Sequence, residues 1–337
     1  MRSAMAAFFC FIFMYIKKKQ KNENIHMKPL KVLSLFDGIS CGHVALDRAN
    51  IKTDRYVAYE IEDNAIRITQ KNYPETEQRG DVFKADFTEY NGFDLLIGGS
   101  PCTFWSIAQK ADSRETTNSG LGWELFSQYV RALKESKIPY FLYENNFSMS
   151  DNIKEEITKA LGVQPIHINS ALLSAQKRDR YYWTNIPCNG NDHMPEDKNI
   201  KLQDILEYGY ADRDKSLCIA RRYAGFQGTE SYLCRRYFGK SFGQAAFLSK
   251  QARDEVKKLW ANDKYFDKDA PVEKNQQIRR IRQLTPIEVE RLQTLPDNYT
   301  QCDNVTNTER IEAVGNGWTV DVITHILNGF NRNENHL

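Results

Sequence analysis

The chain has 337 residues, 41% hydrophobic and 27% charged, with 46 Lys and Arg against 44 Asp and Glu. That length holds one large domain, or one large and one small, and the composition is that of a globular chain with a substantial core, not a disordered or fibrous one. Its seven scattered cysteines lack a C-x-x-C pair and its six histidines lack ligand spacing, which argues against a disulfide framework or zinc site, predicts no bound metal and fits a reducing, cytoplasmic setting.

The first apolar run, Ala6 to Ile16, is eleven residues long and is followed by Lys17-Lys18-Lys19-Gln20-Lys21. Eleven residues are too few to span a bilayer, and positive charge behind the run makes a poor secretory signal. Residues 1–27 are read as a dispensable extension with no stable membrane association; a weak anchor is the alternative.

From Lys31 the segments alternate. Lys31 to Phe36 predicts a strand, residues 43–50 a helix, Tyr56 to Glu60 a strand and Ala65 to Asn72 a helix. Val82 to Asp86 and Phe93 to Ile97 predict strands, Gln128 to Glu135 a helix, Tyr140 to Tyr143 a strand and Ile153 to Leu161 a helix. Such alternation makes a mostly parallel, doubly wound α/β sheet, and open sheets of this kind place ligands at the carboxyl edges of their strands.

Each edge here carries chemistry. Phe36-Asp37-Gly38-Ile39-Ser40-Cys41-Gly42 follows the first strand, and glycines there let backbone approach a ligand. It is not the full G-x-G-x-x-G fingerprint, so a nicotinamide reading is weak; an ordinary turn is the plain alternative. Glu60 ends the second strand, where an acid commonly takes ribose hydroxyls, and Asp86 is expected to end the third. Together these edges predict a nucleoside-bearing cofactor. The fourth strand runs into Gly98-Gly99-Ser100-Pro101-Cys102, a cysteine on a tight turn. Alone it reads as a small buried hydrophobe. With Tyr143-Glu144-Asn145 and Gln176-Lys177-Arg178-Asp179-Arg180 it reads as a nucleophile joined by an acid and an arginine clamp.

The rhythm breaks after Pro187, and residues 188–280 predict a small inserted domain. Between Lys215 and Lys258 stand ten Lys and Arg against three Asp and Glu. Arg221, Arg222, Arg235, Arg236 and Lys240 alternate with Tyr223, Phe226, Tyr232, Tyr237 and Phe238, which suggests a polyanionic partner or, equally for the patch alone, a solvated surface. Thr285-Pro286-Ile287-Glu288 then predicts a helix start, with Thr as N-cap, Pro at the first position and Glu three on. A last helix is expected over Val320 to Leu327.

These motifs, in this order, resemble the DNA (cytosine-5)-methyltransferase family over roughly residues 30–187 and 281–331. Phe36 to Gly42 and Glu60 resemble its S-adenosylmethionine motifs, and Gly99 to Cys102 its nucleophile loop. Glu144-Asn145-Asn146 resembles its Glu-Asn-Val motif, and Gln176 to Arg180 its Gln-x-Arg-x-Arg. Arg282 to Pro296 and Gly315-Asn316-Gly317-Trp318 resemble its C-terminal pair, and the wording leans toward the de novo branch.

The resemblance implies a class I S-adenosylmethionine-dependent methyltransferase fold, Rossmann-like, with a small inserted target-recognition domain. Residues 28–187 and 281–331 would be catalytic and 188–280 would recognise double-stranded DNA. It implies cofactor contacts at Phe36, Asp37, Gly38, Gly42, Glu60, Ile61, Asp86, Phe87, Asn316 and Trp318. The implied catalytic set is Cys102, Glu144, Arg180 and Arg178. Cys102 adds to C6 of a flipped-out cytosine, Glu144 serves N3, Arg180 holds O2 and Arg178 braces the loop. Nearby basic groups and turn amides are expected to lower the Cys102 pKa. Asn146 stands where Val is usual, a departure that bears on packing near the base. An RNA (tRNA) cytosine-5 methyltransferase and an inactive DNA-binding regulator are the alternatives, and intact Cys102, Glu144 and Arg180 argue against the second. Whether a restriction endonuclease accompanies the chain is not written in these motifs.

Overall fold

The computed structural model describes residues 28–106, 114–187, 194–239, 243–261 and 280–333. The N-terminal extension, Lys240 and parts of the insert lie outside the described residues. In chain order come β1 (Leu30–Leu35), α1 (Cys41–Arg48), β2 (Thr53–Tyr59), α2 (Asp63–Asn72), β3 (Glu77–Gln78) and β4 (Leu95–Gly98). Then follow α3 (Leu121–Ser136), β5 (Tyr140–Asn146), α4 (Asp151–Leu161), β6 (Ile166–Asn169) and β7 (Asp179–Thr184). They build a seven-stranded sheet in the order β3-β2-β1-β4-β5-β7-β6. β1 to β5 pair in parallel, and β7 runs antiparallel to both β5 and β6. This is the expected α/β sheet with an antiparallel edge.

Val82 to Asp86 is not a strand. Val82–Lys84 form one 3₁₀ turn and Asp86 caps the start of a second, Phe87–Tyr90. The Asp81 carboxylate accepts the Phe83 amide at 2.9 Å and that of Asp86 accepts the Thr88 amide at 3.0 Å. Short acidic side chains that bond local amides favour turns over ladders. The third strand is instead Glu77–Gln78, and Gly80-Asp81 follow it.

Side chains alternate across a strand, and here that alternation sorts two cores. Val32, Ile97, Leu142 and Tyr182 face one cluster; Leu33, Leu96, Tyr143 and Trp183 face the other, under α3 and α4. Glu144 therefore shares the face of Leu142, and Arg180 that of Tyr182.

Beyond β7 come α5 (Leu202–Ile205), α6 (Glu230–Cys234), β8 (Ala245–Phe247), α7 (Lys250–Ala261) and β9 (Ile281–Gln283), then α8 (Pro286–Leu292), α9 (Asn307–Asn316) and α10 (Val320–Leu327). β8 pairs antiparallel with β9. Three of the aromatics read between the arginines are core residues: Tyr223, Phe226 and Tyr237 are 2%, 0% and 2% exposed and join the cluster that holds Val32 and Leu142. Arg221, read as a phosphate contact, pairs with Glu62 at 3.3 Å and Glu312 at 3.4 Å. α8 begins as its sequence predicts, with Thr285 and Glu288 in a reciprocal capping box and Pro286 in the first turn. Among the described residues no helix is long and apolar enough to cross a membrane, and no group of three His, Cys, Asp or Glu could hold a metal.

Candidate active site

β4 ends at Gly98, and Gly99-Ser100-Pro101 carry the chain to a 3₁₀ turn, Cys102–Phe104. A Cβ on Gly98 would lie 2.7 Å from the Leu35 carbonyl oxygen, and one on Gly99 would lie 2.8 Å from Glu144 Oε2. Only glycine lets the turn lie this close to the acid. Asn145 Nδ2 donates to the Ser100 carbonyl at 3.1 Å and to Tyr143 Oη at 3.0 Å, which ties the turn to β5. Asn146 is 4% exposed; its Nδ2 donates to Asn145 Oδ1 at 3.1 Å and its Oδ1 accepts from Ser148 Oγ at 2.8 Å. An amide can replace an apolar residue here because both of its ends are bonded.

The Glu144 carboxylate holds one donor on each oxygen. Arg180 Nε lies 2.8 Å from Oε1, and Trp318 Nε1 donates to Oε2 at 2.9 Å. Arg180 Nη1 also donates to the Asp179 carbonyl at 2.8 Å. Arg178 is buried and works elsewhere: it donates to the carbonyls of Ile219 at 2.8 Å and Gly317 at 2.9 Å. It clasps Ile219 to the Gly315–Trp318 segment. Two buried amides that the motif reading left without roles help it. Gln176 accepts from the Ile219 amide at 2.6 Å, and Gln293 Nε2 donates to the Gly317 carbonyl at 3.1 Å.

Burial holds the Cys102 thiol above its ordinary pKa, against the pull of Arg180 and Arg178 and with Glu144 adding to the rise. The expected lowering is not found, because desolvation of the sulfur outweighs both guanidiniums. The neighbouring Cys218 goes the other way. The residue is exposed, and although crowding around its sulfur raises the thiol, the charges of Arg178 and Arg180 and their hydrogen bonds bring it below its usual value. Sequence reading had no signal for Cys218, which reaches the cluster through the contacts of residues 216–219 with Gln176 and Arg178.

The first edge is a strained turn. Phe36, Gly38 and Ser40 have φ of 57°, 59° and 56°, a conformation uncommon for the two non-glycine residues. Asp37 faces inward: its carboxylate accepts from Ser34 Oγ at 2.6 Å, Tyr56 Oη at 2.8 Å and Ser40 Oγ, and burial pushes its pKa up to about 6. Glu60 Oε2 accepts the Gly38 amide at 2.7 Å, and Oε1 accepts those of Ile61 at 2.7 Å and Glu62 at 2.9 Å. A Cβ on Gly38 would meet nothing within 4 Å, and Ile61 is 70% exposed. This acid, open glycine and exposed aliphatic fit a nucleoside. Gly42 has a different role, since a Cβ there would overlap Ile97 Cδ1 and stand 3.2 Å from Tyr56 Oη; it seats α1 on the sheet.

Asp86 does not end a strand, because none forms before it, and the cofactor contacts implied at Asp86 and Phe87 lose that edge. Asp86 is exposed and accepts from Thr88, while Phe87 is fully buried beneath Arg131, whose Cζ lies 4.5 Å from the ring. The first acid after β3 is Asp81, beyond Arg79 and Gly80, which the sequence reading missed by misplacing the strand. Asn316 closes α9 and is exposed.

A family model described as C-5 cytosine-specific DNA methylase matches residues 30–332. The orphan methyltransferase M.SPRI of Bacillus phage SPR is 30% identical over 195 residues, which span 54% of this chain and 44% of that protein. The type II methyltransferase M1.ScrFI of Lactococcus lactis subsp. cremoris is 26% identical over 318 residues, 89% of this chain and 78% of that one. The crystal structure of a Spodoptera frugiperda DNMT2 mutant superposes with a TM-score of 0.66 at 18% identity, covering 90% of this chain and 99% of that one, a likeness of fold.

Proposed function

The chain belongs to the C-5 cytosine-specific DNA methylase family, and from that premise we propose that it transfers a methyl group to C5 of cytosine in double-stranded DNA. The observation that carries this reading is the turn of Cys102 against a Glu144 held by Arg180. Cytosine C5 is too weak a nucleophile to take a methyl group unaided. Addition of the Cys102 sulfur to C6 makes C5 enamine-like, and Glu144 supplies the proton or hydrogen bond that N3 then needs. Arg180 lies on the same face of the sheet as Glu144, where it can hold O2. Loss of the C5 proton and of the thiol restores the ring.

The raised thiol pKa fits a resting site. Around Cys102, Arg180 and Arg178 favour the thiolate and the charge of Glu144 opposes it.

S-Adenosylmethionine, bound at the Phe36–Gly42 edge, supplies the electrophilic methyl group. Gly38 would leave room for it, Glu60 would take its ribose hydroxyls, Ile61 would offer an apolar surface and Asp81, in place of Asp86, would be the third contact. The target base lies inside a duplex and must be flipped out, which gives the inserted residues 188–280 a role in recognition.

Incubation of the full chain with labelled cofactor and, side by side, duplex DNA and tRNA tests this. The expected result is 5-methylcytosine in DNA. Label in tRNA alone would favour the RNA alternative, and label in neither would overturn the reading.

A further inference from the structure

The family resemblance implies that Trp318 contacts the cofactor, yet its polar atom points at the acid. The indole Nε1 donates to Glu144 Oε2 at 2.9 Å. The ring lies between two glycines that leave it room: a Cβ on Gly99 would stand 3.3 Å from Nε1, and one on Gly42 3.5 Å from Cζ3. The backbone before it is locked, because the Gly317 carbonyl accepts from Arg178 Nη2 at 2.9 Å and from Gln293 Nε2 at 3.1 Å. Arg178 also holds the Ile219 carbonyl of the insert at 2.8 Å. A continuous set of contacts thus runs from the insert through Arg178 and Gly317 to the indole and the acid.

We infer that Trp318 is a positioning residue for Glu144, which its N–H holds in the plane required at the base. The inference rests on the proposed role of Glu144. With no base present, Arg180 and Trp318 share the carboxylate. When Arg180 turns to the base O2, the indole N–H is the donor left to stop the carboxylate rotating. A carboxyl group free to rotate would present its proton to N3 only part of the time.

Trp318→Phe keeps the ring and deletes the N–H. In the full chain, three quantities separate the roles. The first is affinity for S-adenosylhomocysteine. The second is release of tritium from [5-³H]cytosine in duplex DNA with that compound bound, which reads addition at C6 without methyl transfer. The third is the indole ¹H–¹⁵N signal of Trp318, identified by its loss in the variant. The affinity should stay within about twofold while tritium release falls about tenfold or more, the scale of one hydrogen bond to a charged group. The indole signal should shift in Glu144→Ala, a measurement that holds even if Trp318→Phe folds poorly. Unchanged tritium release in Trp318→Phe beside an active wild type, or an indole signal that does not move in Glu144→Ala, would overturn the inference. A wild type that releases no tritium from DNA or RNA would instead bring down the functional reading.

Discussion

The carboxyl edge of the sheet and residues 194–261 are both rich in polar side chains, but those side chains do different things. At the edge, groups from separate strands and loops converge on one another: Glu144 on Arg180 and Trp318, Glu60 on the Gly38 amide. In the second region, the Arg221–Gly225 turn buries Tyr223 and Ala224, while Arg221 pairs with Glu62 and Glu312. An alternation of basic and aromatic residues is what a short turn shows when it buries one face. Position at a strand edge is therefore stronger evidence of chemistry than the composition of a patch.

The largest effect that tests this contrast is expected at Cys102. Cys102→Ala should lower methylation by on the order of a thousandfold or more while circular dichroism and cofactor affinity stay near wild type. A cytosine fluorinated at C5 should trap a covalent adduct with the wild type only; an adduct with the alanine variant would break the assignment.

Asp37 gives the next largest. Its carboxyl is raised from 3.8 to about 6 by burial. The folded state thus holds the proton more tightly than the unfolded state. This contribution is fully present below pH 3.8 and is lost as pH rises through about 6, a change on the order of 3 kcal/mol. Denaturant unfolding at about pH 4 and about pH 7 should show a smaller difference in Asp37→Asn than in the wild type.

Gly99→Ala would place a methyl 2.8 Å from Glu144 Oε2 and 2.9 Å from its carbonyl oxygen. Overpacking of this kind costs about 1–3 kcal/mol, and kcat should fall by about tenfold with cofactor affinity unchanged. Full activity would mean the edge is looser than its geometry indicates.

Glu144→Gln should sharpen the electrostatic account. Because the Glu144 charge raises the Cys102 pKa, its removal should speed alkylation of Cys102 at neutral pH by about severalfold, read by peptide mass spectrometry. Slower alkylation would reverse the sign assigned to that pair.

The smallest effect belongs to the insert. Arg221→Ala removes exposed ion pairs and should change stability by less than about 1 kcal/mol. It should also leave the salt slope of DNA binding as it was, whereas loss of a phosphate contact would lower that slope by about one. A lowered slope would restore Arg221 to the nucleic-acid surface.

Local pattern alone sufficed for the strand–helix alternation, for the capping box at Thr285 and for the motifs around Cys102, Glu144 and Arg180. Those signals are short-range: apolar period, cap chemistry and residues fixed in order along the chain. It failed at Val82 to Asp86, where an apolar pair looked like a strand but Asp81 and Asp86 turned the backbone. Tertiary structure decided the rest, because it depends on groups far apart in the chain. The pairing of Trp318 with Glu144 joins residues 174 positions apart, and that of Arg178 with Gly317 joins residues 139 apart. The pKa of Cys102 is likewise a property of enclosure, which pits desolvation against two guanidiniums, and no spacing of residues along the chain encodes which of these prevails.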